Sequence, residues 1–304
     1  MRVRASVVSV VLVVAAGCGG GGGGGASAGK APAQPSIQHG SIDVGGLART
    51  YRVFVPPTLD QTQPAALLVA LHGGGNTADS MVSTTMFDRE ASTWGFITAY
   101  PEGTGRAWNA GFCCGSAPAR NVDDVGFLDR LLDTLEAGHD IDRARVFVAG
   151  VSNGAMLAYR FACEHADRVT AVGSVAGSMR VDGCTPSRPV STIELHGTAD
   201  PLVPYAGGTP DAPEAAGAAA YDSSPAVAAR WAQVDGCGAA PASRTDGPVT
   251  TATWSACARG ASVSLVSVDG GGHTWFGPGL GPADGALDAT DMIWRFFNGV
   301  RPTG

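Results

Sequence analysis

The fold is decided by residues 145–160, which read RVFVAGVSNGAMLAYR. Residues 146–149 form an apolar run with two β-branched valines, which is typical of a strand buried on both faces. The pentapeptide G-x-S-x-G follows at residues 150–154, and from Asn153 onward the apolar spacing is helical. A strand, a sharp glycine-flanked turn and a helix predict a nucleophile elbow with Ser152 at its tip. The alternative is a glycine-rich turn that carries a surface serine.

Length and charge restrict the fold and the class of partner. The chain has 304 residues, enough for one large α/β domain or two small ones. The formal net charge is −7 and no cluster of Lys and Arg occurs, which argues against nucleic acid and anionic membrane surfaces as partners. Because no repeat and no second apolar core are found, the sequence predicts a single catalytic domain over residues 37–304. We expect a monomer.

The N-terminal residues are typical of an export signal. Arg2 and Arg4 precede an apolar segment, residues 7–16, that is too short to span a bilayer. The small residues before Cys18 resemble the lipobox of bacterial lipoproteins, in which the cysteine is acylated and becomes the mature N-terminus. We expect a lipoprotein signal over residues 1–18, lipidated at Cys18, and a glycine-, alanine- and proline-rich tether over residues 19–36. The alternative is an ordinary secretory signal, and both predict export, with membrane contact only through an N-terminal lipid.

Six further cysteines form an even set in a chain that we expect to be exported, which favours disulfides over metal binding. They are Cys113, Cys114, Cys163, Cys184, Cys237 and Cys257. Cys237 with Cys257 would close a local loop, and Cys163 with Cys184 would tie the elbow helix to the next connection. Cys113 and Cys114 would then form a vicinal pair, although exchanged pairings stay open. No C-x-x-C pair occurs, so we expect neither a zinc site nor a cofactor.

Predicted strands and helices alternate along the chain. A β-hairpin is expected within residues 41–55, and strands are expected at residues 66–71, 96–100, 146–149, 169–176, 190–196 and 262–268, the last as a half-buried edge strand. Helices are expected at residues 78–94, from 123 or 124 to 138, from 153, and at 226–234 and 288–297. Residues 204–225 are expected to form a surface loop. This alternation predicts an α/β fold with a mostly parallel central sheet, helices on both faces and an antiparallel N-terminal hairpin.

Three polar residues each follow the end of a predicted strand: Ser152, Asp200 and His273. In a parallel sheet these ends meet at one edge, so the three side chains are expected to lie together. Serine, acid, histidine is the chain order found in α/β-hydrolases. His273 would take the proton of the Ser152 hydroxyl, and Asp200 would orient the imidazole and stabilise its charged form. His196, which ends a predicted strand, is either a rival base or a satisfied structural histidine.

A glycine-rich loop, His72-Gly73-Gly74-Gly75, follows the strand at residues 66–71. A tetrahedral intermediate needs backbone N–H donors aimed at its oxyanion, and glycines let the backbone approach closely. The expected donors are the N–H groups of Asn153 and Gly74, with Gly73 as the alternative to Gly74. His72 is expected to order the loop through hydrogen bonds.

Several motifs recur in the order found in one known family. They are LHGG at residues 71–74, WNAG at 108–111, DDVGF at 123–127, GVSNG at 150–154, HGTAD at 196–200 and GHTW at 272–275. The chain resembles the polyhydroxybutyrate depolymerase and feruloyl esterase branch of the α/β-hydrolase family. The resemblance implies an α/β-hydrolase fold and an exported serine carboxylic-ester hydrolase with the triad Ser152, Asp200 and His273. Its substrate would be a polyester, an oligoester, or a feruloyl or acetyl ester of a polysaccharide.

Two tryptophans are candidate walls of an acyl or aromatic pocket. Trp275 is close in sequence to His273, and Trp108 lies in the irregular loop before residue 122. Core packing is the alternative for both rings. Two other functions also stay open at this stage, namely a surface-tethered polymer- or carbohydrate-binding protein without turnover, and an acyltransferase that passes the acyl group to an alcohol.

Overall fold

The computed structural model describes residues 34–113, 115–210, 212, 219–238, 240–279 and 285–300. Its strands are β1 (Ser36–Val44), β2 (Leu47–Val55), β3 (Ala65–Leu71), β4 (Ile97–Pro101), β5 (Ile141–Val151), β6 (Ala171–Val175), β7 (Ser191–Gly197), β8 (Ala242–Asp246), β9 (Val249–Trp254) and β10 (Val263–Val268). Its α-helices are α1 (Ala78–Thr85), α2 (Phe87–Trp94), α3 (Ser116–Ala119), α4 (Asp124–Gly138), α5 (Asn153–Glu164), α6 (Ser224–Val234) and α7 (Ala289–Gly299). None of the helices in these described segments combines the length and the apolar character that crossing a bilayer requires.

The strands form one sheet in the order β1-β2-β4-β3-β5-β6-β7-β10-β9-β8. The six central strands, from β4 to β10, are parallel, and an antiparallel hairpin extends the sheet at each end. Strands β3, β4, β6 and β7 are buried along their whole length, because helices cover both faces of the sheet. The predicted fold class is therefore confirmed.

Two apolar layers hold the helices against the sheet. One layer contains side chains of α4, α5 and α6, including Leu131, Leu157 and Trp231. The other contains side chains of α1, α2 and α7, including Phe87 and Trp294. Helix α5 packs on β5 and β6, the two strands at the centre of the sheet. The residue that precedes α5 therefore emerges at the middle of the carboxyl edge, where the loops after β3, β7 and β10 also lie.

The C-terminal end of the sheet differs from the sequence-based prediction. Strand β10 is not an edge strand, because it pairs with β7 on one side and with β9 on the other. The hairpin β8–β9 was not anticipated. Every residue of β8, ASRTD, is exposed, so this edge strand lacks the apolar alternation that would have marked it in the sequence.

Two helices also differ from their predicted limits. The single helix expected over residues 78–94 is two helices, since Met86 adopts a left-handed conformation with φ of 52°. Helix α6 begins at Ser224 instead of residue 226, because the side chain of Ser223 accepts a hydrogen bond from Ala226 N–H and Pro225 occupies the first turn. Neither change moves a loop of the carboxyl edge.

Candidate active site

Ser152 lies in the turn between β5 and α5, in a backbone conformation that is rare for a residue with a side chain. Its φ is 54° and its ψ is −122°. The Ser152 N–H donates to the carbonyl of Val175 at 2.8 Å, which ties the turn to the end of β6. Such a conformation costs about 1–3 kcal/mol and persists only where surrounding contacts impose it. The strained turn presents the half-buried serine at the carboxyl edge of the sheet.

Close backbone packing explains the two glycines of the pentapeptide. A Cβ atom at Gly154 would overlap the carbonyl oxygens of Leu71 and His72, and one at Gly150 would overlap the backbone of Gly154. Only a residue without a Cβ atom fits at either position. Helix α5 can therefore start directly against the end of β3, and this contact brings the glycine-rich loop after β3 beside Ser152.

Asp200 and His273 meet at the same edge, although 73 residues separate them. The distance from His273 Nδ1 to Asp200 Oδ2 is 2.7 Å, with the Asp200 side chain fully buried and that of His273 15% exposed. Their loops are bonded to each other, since Ala199 N–H donates to the carbonyl of Gly271 at 2.9 Å. The structure thus brings the predicted acid and the predicted base into direct contact.

The carboxylate of Asp200 accepts hydrogen bonds on both oxygens. Oδ1 accepts from the backbone N–H groups of Leu202 and Val203 at 2.9 Å each, while His196 Nε2 lies 3.2 Å from Oδ2. Burial raises the pKa of Asp200, but hydrogen bonds from His196 and His273 and the charge of His273 outweigh it and hold that pKa well below its usual range. Asp200 is therefore ionised at neutral pH. It accepts the Nδ1 proton of His273, which leaves Nε2 as the basic nitrogen of that ring.

The glycine-rich loop lies against the turn that carries Ser152. A Cβ atom built on Gly73 would lie 3.5 Å from the Cβ of Ser152, and one built on Gly74 would lie 3.8 Å from the Cβ of Asn153. The backbone hydrogen bonds described in this loop are donated by Gly75, to Arg106 at 2.8 Å, and by the residue after it. Gly73 and Gly74, the two residues predicted as alternatives for one oxyanion donor, therefore lie beside the turn that carries Ser152 and Asn153.

His72 orders this loop, in agreement with the prediction. Its Nδ1 donates to the carbonyl of Gly73 at 2.8 Å, and its Nε2 accepts the N–H of Gly103 at 2.9 Å. Because one nitrogen donates and the other accepts, the ring is neutral. Burial lowers the pKa of His72, which favours the same neutral form. His72 is therefore a structural residue of the glycine-rich loop.

A second set of hydrogen bonds, which the sequence did not reveal, fixes the loop after β4. The backbone N–H of Asn109 donates to Asp124 Oδ2 at 2.6 Å, and Asp124 Oδ1 is paired with Arg49 Nη2 at 2.6 Å. Both charged side chains are almost completely buried, and the Arg49 guanidinium lies 4.2 Å from the ring centre of Phe127. The motifs WNAG and DDVGF thus meet at one buried carboxylate, that of Asp124, which is also paired with Arg49.

The structure corrects the prediction that Trp108 and Trp275 form walls of a substrate pocket. Trp108 is 0% exposed, and its indole N–H donates to the carbonyl of His72 at 2.8 Å. Trp275 is 2% exposed, and its indole N–H donates to Thr290 Oγ1 at 3.0 Å. Both rings belong to the core, so the core-packing alternative describes them. Short sequence distance from His273 did not imply exposure in the cleft.

The structure contains two of the disulfides that the cysteine spacing suggested. Cys163 is bonded to Cys184, and Cys237 is bonded to Cys257. Cys113 is also disulfide-bonded. Cys114 and the expected lipidation site Cys18 lie outside the described residues. The first disulfide joins the last turn of α5 to the segment after β6, which is the connection predicted for it.

A buried polar chain behind Asp200 was also missed. His196 Nδ1 lies 3.1 Å from Glu194 Oε1, and Glu194 Oε2 accepts the hydroxyl of Tyr159 at 2.9 Å. The signal in the sequence is the pair Glu194 and His196 within the otherwise buried strand β7. Among the described residues, no group of three or more His, Cys, Asp or Glu side chains is arranged to hold a metal ion.

One family model and several known esterases match this chain. The family model described as esterase PHB depolymerase matches residues 49–202, a segment that contains Ser152 and Asp200. Feruloyl esterase C from Emericella nidulans is 28% identical over 274 residues, which cover 87% of this chain and 88% of that protein. Feruloyl esterase D from Neurospora crassa is 27% identical over 192 residues, or 59% of this chain and 63% of that protein.

Among solved structures, the acetyl xylan esterase from Aspergillus awamori has the same fold, with a TM-score of 0.62. It is 16% identical in sequence, and the match covers 86% of this chain and 99% of that one. The family match and the esterase relatives identify one enzyme class, and the solved structure shows the fold. The chain belongs to the PHB depolymerase esterase family and is a carboxylic-ester hydrolase with the α/β-hydrolase fold.

Proposed function

We propose that this esterase acts through a serine nucleophile, Ser152, with His273 as the general base and Asp200 as its anionic partner. The observation that supports this assignment most strongly is the 2.7 Å contact between His273 Nδ1 and Asp200 Oδ2, at the sheet edge where the strained turn presents Ser152. A serine hydroxyl is a weak nucleophile at neutral pH and needs an oriented base. The buried, ionised Asp200 supplies that orientation.

The first half of the reaction forms an acyl-enzyme. Ser152 Oγ attacks the ester carbonyl while His273 Nε2 takes the hydroxyl proton, and the imidazolium is stabilised by Asp200. The oxyanion accepts hydrogen bonds from the N–H groups of Asn153 and Gly74, with Gly73 also close to the turn. When the tetrahedral intermediate collapses, the bond to the alcohol oxygen breaks and His273 protonates the departing alcohol.

The second half returns the enzyme to its starting state. A water molecule attacks the acyl carbonyl, and His273 takes one of its protons. The second intermediate collapses, the bond to Ser152 Oγ breaks, and the proton on His273 returns to that oxygen. The products are the carboxylic acid and the free serine hydroxyl, and each step conserves protons without a cofactor.

The substrate class that we propose is an ester of an aromatic or acetyl acid on plant polysaccharide, or a hydroxyalkanoate or related polyester oligomer. The names of the relatives support the first, and the family description supports the second. Phe112 replaces the two buried tryptophans as the aromatic candidate for substrate contact. It is 61% exposed, and its N–H donates at 3.0 Å to the carbonyl of Arg180, in the loop after β6.

We also propose that the protein is exported. The disulfides Cys163–Cys184 and Cys237–Cys257 require an oxidising compartment to persist. The N-terminal pattern, with Cys18 after small residues, predicts acylation of that cysteine. Metabolic labelling with a radioactive fatty acid, in the natural chain and in Cys18→Ala, tests the anchor. Label that persists in the variant would place the lipid elsewhere, and secretion without label would support an ordinary signal.

Initial rates on a panel of substrates test the function itself. The panel contains p-nitrophenyl acetate, methyl ferulate, acetylated xylan, hydroxybutyrate oligomers and an aromatic polyester film. Ser152→Ala is expected to lower kcat on every accepted substrate by roughly 10⁴-fold or more. The matched control is Ser83→Ala, an exposed serine on α1, which should keep full activity. A loss of only a few-fold in Ser152→Ala would refute the assignment of the nucleophile.

A further inference from the structure

His196 occupies the buried side of Asp200, opposite His273. Its Nε2 lies 2.8 Å from the carbonyl oxygen of Val203 and 3.2 Å from Asp200 Oδ2. Its Nδ1 lies 3.1 Å from Glu194 Oε1 and 2.8 Å from Ser224 Oγ. The ring is 0% exposed, so these contacts are shielded from bulk solvent. Because the ring has no access to a substrate, His196 is not a rival base.

The partners of the ring determine where its protons lie. Nε2 faces a carbonyl and a carboxylate, which both accept, so Nε2 must carry a hydrogen. Nδ1 faces a carboxylate oxygen of Glu194 and the hydroxyl of Ser224, and an unprotonated Nδ1 would set its lone pair against the Glu194 oxygen. A hydrogen on each nitrogen satisfies all four neighbours, and such a ring carries a positive charge.

The balance of charge leads to the same protonation state. Glu194 is 1% exposed and Asp200 is 5% exposed, and in the part of the chain described here neither carboxylate is paired with Lys or Arg. Two uncompensated carboxylates at this depth would be very costly. A charged ring between them removes that cost, and Tyr159 completes the shell by donating to the second oxygen of Glu194.

We propose that His196 is a buried imidazolium, held by Glu194, that fixes the ionised carboxylate of Asp200 and thereby reduces the negative charge that His273 faces. His196 is a positioning residue, because it acts on the reaction only through Asp200. This inference rests on the proposed role of the Asp200–His273 pair. Hydrogen bonds from Asp200 and Glu194 outweigh the effect of burial, which lowers the pKa, and raise the pKa of His196 to about 9.

The functional consequence concerns the charge that His273 faces during the proposed reaction. A positive charge next to Asp200 partly cancels the negative charge that would stabilise the His273 imidazolium. The other polar side chains around the ring are hydroxyl groups: that of Tyr205, whose ring centre is 6.0 Å away, and that of Ser224 at the start of α6. Glu194 lies on the side of His196 away from Asp200, so the positive charge of the ring is the nearer one.

NMR of the resting protein tests the protonation state without any use of activity. In protein labelled with ¹⁵N-histidine, one of the six rings is expected to carry hydrogens on both nitrogens at pH 8, and this signal should become that of a neutral ring in Glu194→Gln. In Ser224→Ala both carboxylates remain, so the ring should stay charged. If all six rings are neutral at pH 8, or if Ser224→Ala alone neutralises the ring, the proposal is wrong. This result is independent of whether Ser152 proves to be the nucleophile.

The pH profile of kcat/KM tests the effect on His273. Glu194→Gln and His196→Gln should each move the acid limb of the profile upward by about one pH unit, because the positive charge beside Asp200 is lost. Glu164→Gln, a substitution in an exposed ion pair on α5, is the matched control and should leave the limb unchanged. A merely structural role predicts the same fractional loss of activity at every pH, and an unshifted limb in both variants would overturn the proposal.

Discussion

The side chain of Asn153 bonds to both backbone groups of Trp108. Its Oδ1 accepts the Trp108 N–H at 2.7 Å, and its Nδ2 donates to the Trp108 carbonyl at 3.0 Å. The indole of Trp108 in turn donates to the carbonyl of His72, the first residue of the glycine-rich loop. The residue after the proposed nucleophile therefore holds the loops after β3 and β4 in register with the elbow. Its backbone N–H is a proposed oxyanion donor, and its side chain holds the neighbouring loops in position.

Replacing Asn153 by alanine should separate these two roles. The backbone N–H stays, but the N–H and the carbonyl of Trp108 lose their partners in the core, which should cost about 2–3 kcal/mol of unfolding free energy. We expect kcat to fall about tenfold because the oxyanion loop loses its support. Urea unfolding and steady-state kinetics measure both effects. Gln233→Ala, which removes an exposed amide on α6, is the control. Wild-type kcat in Asn153→Ala would show that the amide bridge does not position the loop.

The packing at Gly154 predicts a large effect of a single methyl group. Gly154→Ala places a Cβ atom on the carbonyl oxygens of Leu71 and His72, so α5 must move away from β3. We expect a loss of about 2–4 kcal/mol in stability and a strong fall in kcat. Gly138→Ala, in the last turn of α4, has nothing within 4 Å of the new atom and should be neutral or stabilising by up to about 1 kcal/mol. Equal effects of the two substitutions would contradict this account of the elbow.

Stability should fall as the pH rises above 7, because His196 loses its proton in the folded state. Its pKa is raised from 6.5 to about 9, so its contribution is complete below pH 6.5 and is lost as the pH passes 9. The expected loss is about 3 kcal/mol. Burial raises the pKa of Asp235 to about 7. Its ionisation therefore lowers stability as the pH rises towards 7, and it causes no further change of stability above that pH. Urea unfolding from pH 7 to 10 measures the slope.

The variant Glu194→Gln isolates this effect. With its ring neutral, His196 should make no contribution above pH 7, and the stability of the variant should change much less with pH than that of the natural protein. If the free energy of unfolding changes with pH in the same way in both proteins, a group other than His196 causes the loss of stability above pH 7.

The two described disulfides close loops of similar length, 21 and 20 residues, so their removal should cost similar stability. We expect about 3 kcal/mol for each, measured as a fall in the free energy of unfolding. Only Cys163 lies on the helix that begins at the elbow. The double variant Cys163→Ala/Cys184→Ala should therefore also lower kcat, whereas Cys237→Ala/Cys257→Ala should not. A fall in kcat in both would mean that stability alone controls activity.

The sequence was sufficient for the centre of the fold and insufficient for its periphery. Strand β3 and the second half of β5 are apolar runs, which are typical of parallel strands buried on both faces. Strand β8 is exposed along its length and lacks the apolar alternation of a half-buried strand, so the turn residues Gly247 and Pro248 are the local signal for its pairing with β9. The break at Met86 could not be predicted either, because a methionine in the left-handed conformation cannot be told from a helical one in the sequence.

The same division applies to the candidate site. Chain order and strand ends were enough to propose Ser152, Asp200 and His273, because the topology of a parallel sheet fixes where such ends meet. The orientation of a side chain depends on tertiary packing, so the sequence left Trp108 and Trp275 undecided between the pocket and the core, and the structure places both in the core. The contacts of His196 could not be predicted for a further reason. Its partners come from β7, the loop after β7 and α6, and only the assembled fold brings them together.

The central claim is that Ser152 is a nucleophile activated by the Asp200–His273 pair, and covalent labelling tests it most directly. The protein is treated with a fluorophosphonate, digested, and analysed by mass spectrometry. The account predicts one adduct, on the peptide that contains Ser152, with no adduct in Ser152→Ala and labelling at least about 100-fold slower in His273→Ala. An adduct on another residue, or undiminished labelling in Ser152→Ala, would contradict it.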